Sequence, residues 1–187
     1  GQLDSAIVYY QKAIRLQPTY SRAYENLGYI YLDRDNFDAA HQAAKQALHH
    51  EPNNENALVL QAKIYLKEKD YPRAVGKFQQ AIEQAPNNYQ RYIDLGILFD
   101  ERGQMKKAIE QFEKAAELRP SQSHIFYLLG NATARLCQLK EAQSYYEKAL
   151  RLNPQFFAAL NNQGLILMNL GDFETALDNF YRALNID

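Results

Sequence analysis

The chain has 187 residues, 47% of them hydrophobic, and 21 lysines and arginines against 22 aspartates and glutamates give a net charge of −1. That much apolar mass excludes a disordered tail and allows a substantial core. Charges of both signs are mixed along the whole length, which argues against nucleic acid as a partner, and no apolar run approaches the ~18 residues that cross a bilayer.

Residues 1–20 read as a single helix, with Ala6, Tyr10 and Ala13 at helical spacing ahead of Pro18. Residues 21–54 carry two apolar bursts, Tyr24, Leu27 and Tyr31, then Phe37, Ala40, Ala44 and Ala47, before Pro52. Two bursts separated by a short polar break predict two antiparallel helices, A and B. Residues 55–88 repeat the pattern through Leu58, Ala62, Ala74, Phe78 and Ala81 up to Pro86. Pro72 follows Asp70 and Tyr71, where it suits the first turn of a B helix. Residues 89–122 and 123–156 repeat it again, ending on Pro120 and Pro154, and residues 157–187 stop before the next proline slot. The first segment is therefore a B helix without its A partner.

Pro18, Pro52, Pro86, Pro120 and Pro154 stand 34 residues apart. Counting from Ser21, the eighth slot of each unit is small: Gly28, Ala62, Gly96, Gly130, Gly164. The twentieth and twenty-seventh slots are alanine in every unit, from Ala6 and Ala13 to Ala176 and Ala183. Small residues there let helix A and helix B approach closely, and the prolines end each B helix. The large residues of the fourth and twenty-fourth slots, such as Phe126 and Tyr146, are expected as knobs between neighbouring hairpins. One hairpin cannot bury its apolar face alone, so the units should stack into a solenoid.

The A–B break holds Gly103 and Gly171, and Gly1 in the leading segment, as a left-handed helix end prefers. Asp35, Lys69 and Cys137 occupy the same slot and imply either strain or a different turn. Four further residues depart from the pattern. Ala44 and Thr133 put small or polar groups where a ring is usual, and Gln61 and Gln163 replace leucines, so buried amides there need partners. At the end, Leu177, Phe180, Ala183 and Leu184 make an apolar stripe with no following helix to cover it. A piece cut from a longer array is the expectation, with dimerising ends as the alternative.

Little chemistry is left over. His49 and His50 close a B helix, where the helix dipole favours a cation, and no further ligands converge on them in sequence. Cys137 is the only cysteine, which excludes a disulfide framework, fits a reducing, cytoplasmic setting, and places a free thiol in a turn. Asp100 and Glu101 are adjacent on a helix and point in different directions. Asn131-Ala132-Thr133 matches a glycosylation acceptor, but mid-helix placement argues against its use. No catalytic, metal-binding or cofactor-binding residue is expected, and the chain does not read as an enzyme.

Aromatic, leucine-glycine, aromatic, alanine, aromatic, alanine and proline at this spacing resemble the tetratricopeptide repeat. Residues 21–54 match most closely, through Tyr24, Leu27, Gly28, Tyr31, Ala40, Ala47 and Pro52. The resemblance implies an all-α, right-handed superhelical solenoid of eleven helices and about five and a half repeats. It covers residues 1–187 as one array: a B helix over 1–20, full repeats over 21–54, 55–88, 89–122 and 123–156, and a last, shortened repeat over 157–187. It also implies that A helices line a concave groove that binds partner segments. Carried over, the groove residues are Arg22, Tyr29, Val59, Lys63, Lys67, Ile93, Ile97, Tyr127, Asn131, Arg135 and Leu165. Apolar members could instead pack against neighbouring A helices.

The expected partner is a peptide or amphipathic helix of a protein, with neither nucleic acid nor membrane insertion. A substrate-recruiting arm of a larger enzyme and a scaffold that self-associates through uncovered ends are the alternatives. The lysine and asparagine clamp of the chaperone-tail-binding branch is absent, and Leu60, Asp94 and Leu128 interrupt an asparagine ladder that Asn26 and Asn162 would begin.

Overall fold

The computed structural model describes residues 2–186, and all regular structure among them is helical. The eleven described helices are α1 (Gln2–Leu16), α2 (Ser21–Asp33), α3 (Phe37–His50), α4 (Glu55–Lys67), α5 (Tyr71–Gln84), α6 (Tyr89–Glu101), α7 (Met105–Leu118), α8 (Ser123–Arg135), α9 (Leu139–Leu152), α10 (Phe157–Leu170) and α11 (Phe173–Leu184). They fall into two compact units, residues 1–87 and 88–187. In the first, α2 pairs with α3 and α4 with α5, while α1 leans on α2. In the second, α6 pairs with α7, α8 with α9 and α10 with α11, and the hairpins stack in sequence order.

Backbone chemistry sets the helix ends. Helices α3, α5, α7 and α9 each stop two residues before a proline of the 34-residue comb. Glu51, Ala85, Arg119 and Asn153, which precede those prolines, have φ of −133, −136, −140 and −141°. All four have left the helical region, as a following proline ring requires. Pro72 lies in the first turn of α5, where its missing N–H costs nothing.

One turn serves all five described A–B breaks. Asp35, Lys69, Gly103, Cys137 and Gly171 have φ of 54, 61, 71, 60 and 85°. After each, an amide closes back onto the carbonyl five residues earlier: Asn36 to Tyr31 at 2.9 Å, Asp70 to Tyr65 at 2.8 Å, Gln104 to Phe99 at 2.8 Å, Gln138 to Thr133 at 3.1 Å and Asp172 to Leu167 at 2.9 Å. Glycine satisfies this helix stop without strain, whereas the other three residues hold a Cβ in the left-handed region. The alternative of a different turn is thereby settled against. Gly1 lies outside the described residues.

The small eighth slot is filled from within its own hairpin. A Cβ at Gly130 would lie 2.6 Å from Cε1 of Tyr146, and one at Gly96 or Gly164 would lie 2.5 or 2.6 Å from Cε1 of Phe112 or Phe180. The twenty-fourth-slot rings are therefore not knobs between neighbouring hairpins, as expected, but seals between the two helices of one hairpin. The reason is geometric: a bare backbone is the only surface on which a ring can lie that close. The first hairpin solves the same problem differently. Ala44 is too short to reach Gly28, and Leu60 of the following A helix takes the vacant place in direct contact. Leu32, Ala40, Ala44, Leu60 and Ile64 then form one buried cluster.

The polar departures resolve individually. Thr133 is fully buried, and its hydroxyl is satisfied by its own helix, 2.8 Å from the Leu129 carbonyl and 3.1 Å from that of Gly130. Gln163 accepts from Asn179 Nδ2 at 2.9 Å, both residues being buried. Gln61 has no such neighbour: its Oε1 is buried without a hydrogen-bond partner, and Lys77, which stands where Asn179 stands three repeats later, donates to Gln80 instead. At the first inter-repeat junction, Ser21 Oγ donates to the Ala47 carbonyl, and Asn54 Nδ2 reaches the buried Glu25 carboxylate at 2.7 Å.

These surroundings make two pairs of predictions for urea unfolding followed by circular dichroism. Gly130→Ala should destabilise by roughly 1–3 kcal/mol through overpacking. Gly76→Ala, with open space around it in α5, should stabilise by about 0.5–1 kcal/mol through helix propensity. Gln61→Leu should stabilise by about 1 kcal/mol because it removes an unpaired buried acceptor. The same change at Gln163 should cost roughly 1–3 kcal/mol, because it strands the Asn179 amide.

Candidate functional site

The A helices carry the residues that the sequence assigns to partner binding, and each unit presents its own set. In the first unit, Arg22, Lys63 and Lys67 are exposed and Tyr29 is half-buried. The Lys63 ammonium stands 5.5 Å from the centre of the Tyr29 ring, a cation–π contact that joins α2 to α4. Lys67 lies 3.9 Å from the Asp35 carboxylate at the surface, where such a pair is weak and exchangeable. Val59 is only 2% exposed, so it is a core residue and presents no anchor.

In the second unit, Ile93 is likewise buried, at 3% exposure. One turn later on α6, Ile97 is 37% exposed, and Leu165 and Met168 on α10 are 49% and 47% exposed. Between them on α8 lie Tyr127 and Asn131, both half-buried, and exposed Arg135. Arg135 Nη1 donates to the Asp100 carboxylate at 2.8 Å and to the Asp100 carbonyl at 3.2 Å. A cation on the last turn of α6 suits the helix dipole and ties α8 to α6. Asn131 is committed inward: its Oδ1 accepts from the Tyr146 hydroxyl at 2.7 Å and from Asn162 Nδ2 at 2.9 Å. Burial pushes the Tyr146 phenol up to about 12, so it remains a donor across the neutral range. The Asn131 carbonyl is thus an acceptor already engaged within the protein.

Val59 and Ile93 are core and not surface residues for one reason. Helical spacing places them on the right helix but does not say how far the next helix has rolled over them. Phe156 is the residue that spacing misses. It lies in the α9–α10 loop, outside any repeated slot, with its ring centre 5.0 Å from that of Tyr127 and 6.3 Å from that of His124. His124 also stacks on Tyr127 at 6.0 Å.

No constellation for turnover emerges among the described residues. No group of three or more histidines, cysteines, aspartates and glutamates is placed to hold a metal ion. His50 stacks on Tyr24 and packs edge-on against His49. Cys137 is exposed in its turn. No described helix is long and apolar enough to cross a membrane.

Stacked hairpins with a mixed apolar and charged surface define a helical-repeat scaffold. The comparisons with known proteins agree. The sequence profile of the tetratricopeptide repeat matches residues 26–89 and 127–187, and two related profiles match 1–35 and 65–132. The chain belongs to the tetratricopeptide repeat family, whose members are generally non-catalytic scaffolds that bind other proteins. Among solved structures it is similar to MamA from Desulfovibrio magneticus RS-1, with 24% identity, a TM-score of 0.75, and coverage of 89% of this chain and 94% of that one. The Pseudomonas aeruginosa pilF structure aligns at 21% identity and a TM-score of 0.78, over 100% of this chain and 79% of that one. YrrB, described as a TPR protein with an unusual peptide-binding site, aligns at 21% identity and a TM-score of 0.71, over 95% and 92% of the two chains. At these identities the likeness establishes the fold. No curated protein sequence matches the chain.

The aromatic cluster predicts a pH effect. Partial burial lowers the His124 pKa, so the unfolded chain binds the proton more readily than the folded one. Stability from this group is present above the ordinary histidine value of about 6.5 and declines as pH falls through it. Between about pH 7.5 and 5.5, the unfolding free energy of the wild type should drop more steeply than that of His124→Phe, as read from urea midpoints at each pH.

Proposed function

We propose that the A-helix wall captures an amphipathic helix or extended segment of a protein partner, without turnover. The observation that carries this reading is the exposure of Ile97, Leu165 and Met168 within a unit whose other large A-helix side chains are mostly buried. Each such side chain contributes about 1.5–3 kcal/mol when a partner covers it fully, so two or three anchors suffice for a specific complex. Tyr127 adds an aromatic edge, and the Arg135–Asp100 pair beside it supplies directional charge. The first unit presents its own set, Arg22, Lys63 and Lys67, which suits acidic residues of a partner. A peptide-binding site on YrrB, a protein of the same fold, is in keeping with this use of the scaffold.

The test is the pair Ile97→Glu and Leu165→Glu in one protein, with Tyr127→Glu as an added third change. Helix content should be unchanged, because Ile97 and Leu165 are exposed. Partners identified with the wild type by pull-down and confirmed by titration should bind at least about tenfold more weakly, the loss of a single good anchor. Unchanged affinity in a folded variant would remove the wall from the binding surface.

A further inference from the structure

The B helices of the second unit carry a different surface. An open cavity of about 490 Å³ lies over α8, lined by Glu113, Glu117, Phe126, Leu129, Tyr145 and Lys148 of α7, α8 and α9. A second, of about 450 Å³, is lined by Glu147, Leu150, Arg151, Pro154, Gln163 and Arg182 of α9, the α9–α10 loop, α10 and α11. Glu147, Arg151, Gln163 and Arg182 stand 34 residues after Glu113, Glu117, Leu129 and Lys148, so the two cavities are one site repeated. The chemistry is reversed between them. The first has two carboxylates and one ammonium, with Glu117 held 2.9 Å from Lys114 and Lys148 occupied 4.0 Å above the Phe126 ring. The second has two guanidiniums and one carboxylate.

Three features of the second cavity favour an anionic guest. Arg151 is exposed and makes no ion pair among the described residues. Arg182 is held only loosely, 3.7 Å from Asp178 and 3.4 Å from the Asn179 side-chain oxygen, contacts that a better acceptor would displace. Gln163 is 6% exposed, and because its carbonyl oxygen is taken by Asn179, its N–H donors are what the floor has to offer. The leucine of the first cavity offers none. Leu150 and Pro154 supply an apolar wall for the methylene stem of a side chain.

We propose that this cavity is a second docking site, for a carboxylate side chain on an acidic segment of a protein partner. Guanidinium groups bind carboxylates through two parallel, charge-assisted hydrogen bonds. Glu147 at the rim, which accepts from Gln143 at 3.0 Å, makes the site a poorer match for a doubly charged phosphate than for a singly charged carboxylate. The preceding cavity, with Glu113 and Glu117, repels the same guest, so the position within the array selects the charge of the residue that docks.

The experiment uses the whole protein and a fluorescein-labelled peptide of alternating serine and glutamate, which lacks the apolar anchors that the A-helix wall would take, with the serine–glutamine peptide as its isostere. Anisotropy should show binding of the glutamate peptide that weakens as salt rises, and little binding of the glutamine peptide. Arg151→Gln with Arg182→Gln should weaken binding at least about tenfold, as should Arg151→Glu, which installs the charge that Glu117 gives the first cavity. The Ile97→Glu, Leu165→Glu protein should bind the peptide as the wild type does, which separates this site from the A-helix wall. Equal affinity for both peptides, or undiminished binding by the folded arginine variants, would overturn the proposal. So would displacement of the peptide by inorganic phosphate at lower concentration than by acetate.

Discussion

A ring lying on a glycine holds each typical hairpin of this protein together. At Gly96, Gly130 and Gly164 the facing ring sits so close that a single added carbon would overlap it. Dispersion falls off steeply with distance, so this contact gains most when no side chain intervenes. The alanines at the twentieth and twenty-seventh slots, buried in each of the five described A–B hairpins, belong to the same arrangement, because helix B must come down flat on helix A before the ring can reach. Turn geometry follows from it as well. Helices packed this tightly need a short connection, and the left-handed helix stop is built even where aspartate, lysine or cysteine must adopt it.

Where a repeat lacks one part of this contact, neighbouring residues adjust. Leu60 fills the place that Ala44 leaves empty beside Gly28. Thr133 turns its hydroxyl back onto its own helix, and Gln163 finds Asn179. Gln61 is the exception, a buried acceptor left unpaired. The repeats are therefore alike in backbone and unlike in how their cores are closed, as expected when each unit is stabilised chiefly by its neighbours.

Function resides in what this framework leaves over. The A helices present Ile97, Leu165 and Met168 beside the Arg135–Asp100 pair, and the B helices repeat a shallow cavity whose charge changes from one repeat to the next. In the proposed reading, such a scaffold holds a partner by apolar anchors on one face and by charge on the other.

The 34-residue period determined by itself the number of helices, their ends and their pairing. Prolines, small residues and turn residues act through the local backbone, and local effects are readable one residue at a time. The period also located the A helices on which a partner surface could lie. It did not decide which of their residues reach solvent. Val59 and Ile93 share helices with Lys63 and Ile97 yet are buried, and Asn131 is held by Tyr146 and Asn162. Nor did it show that the large rings close their own hairpins, or that Arg151, Gln163 and Arg182 meet around one cavity. Those outcomes depend on how far each helix rolls against the next, which is set by the volumes of side chains far apart in the chain and exists only once they are packed.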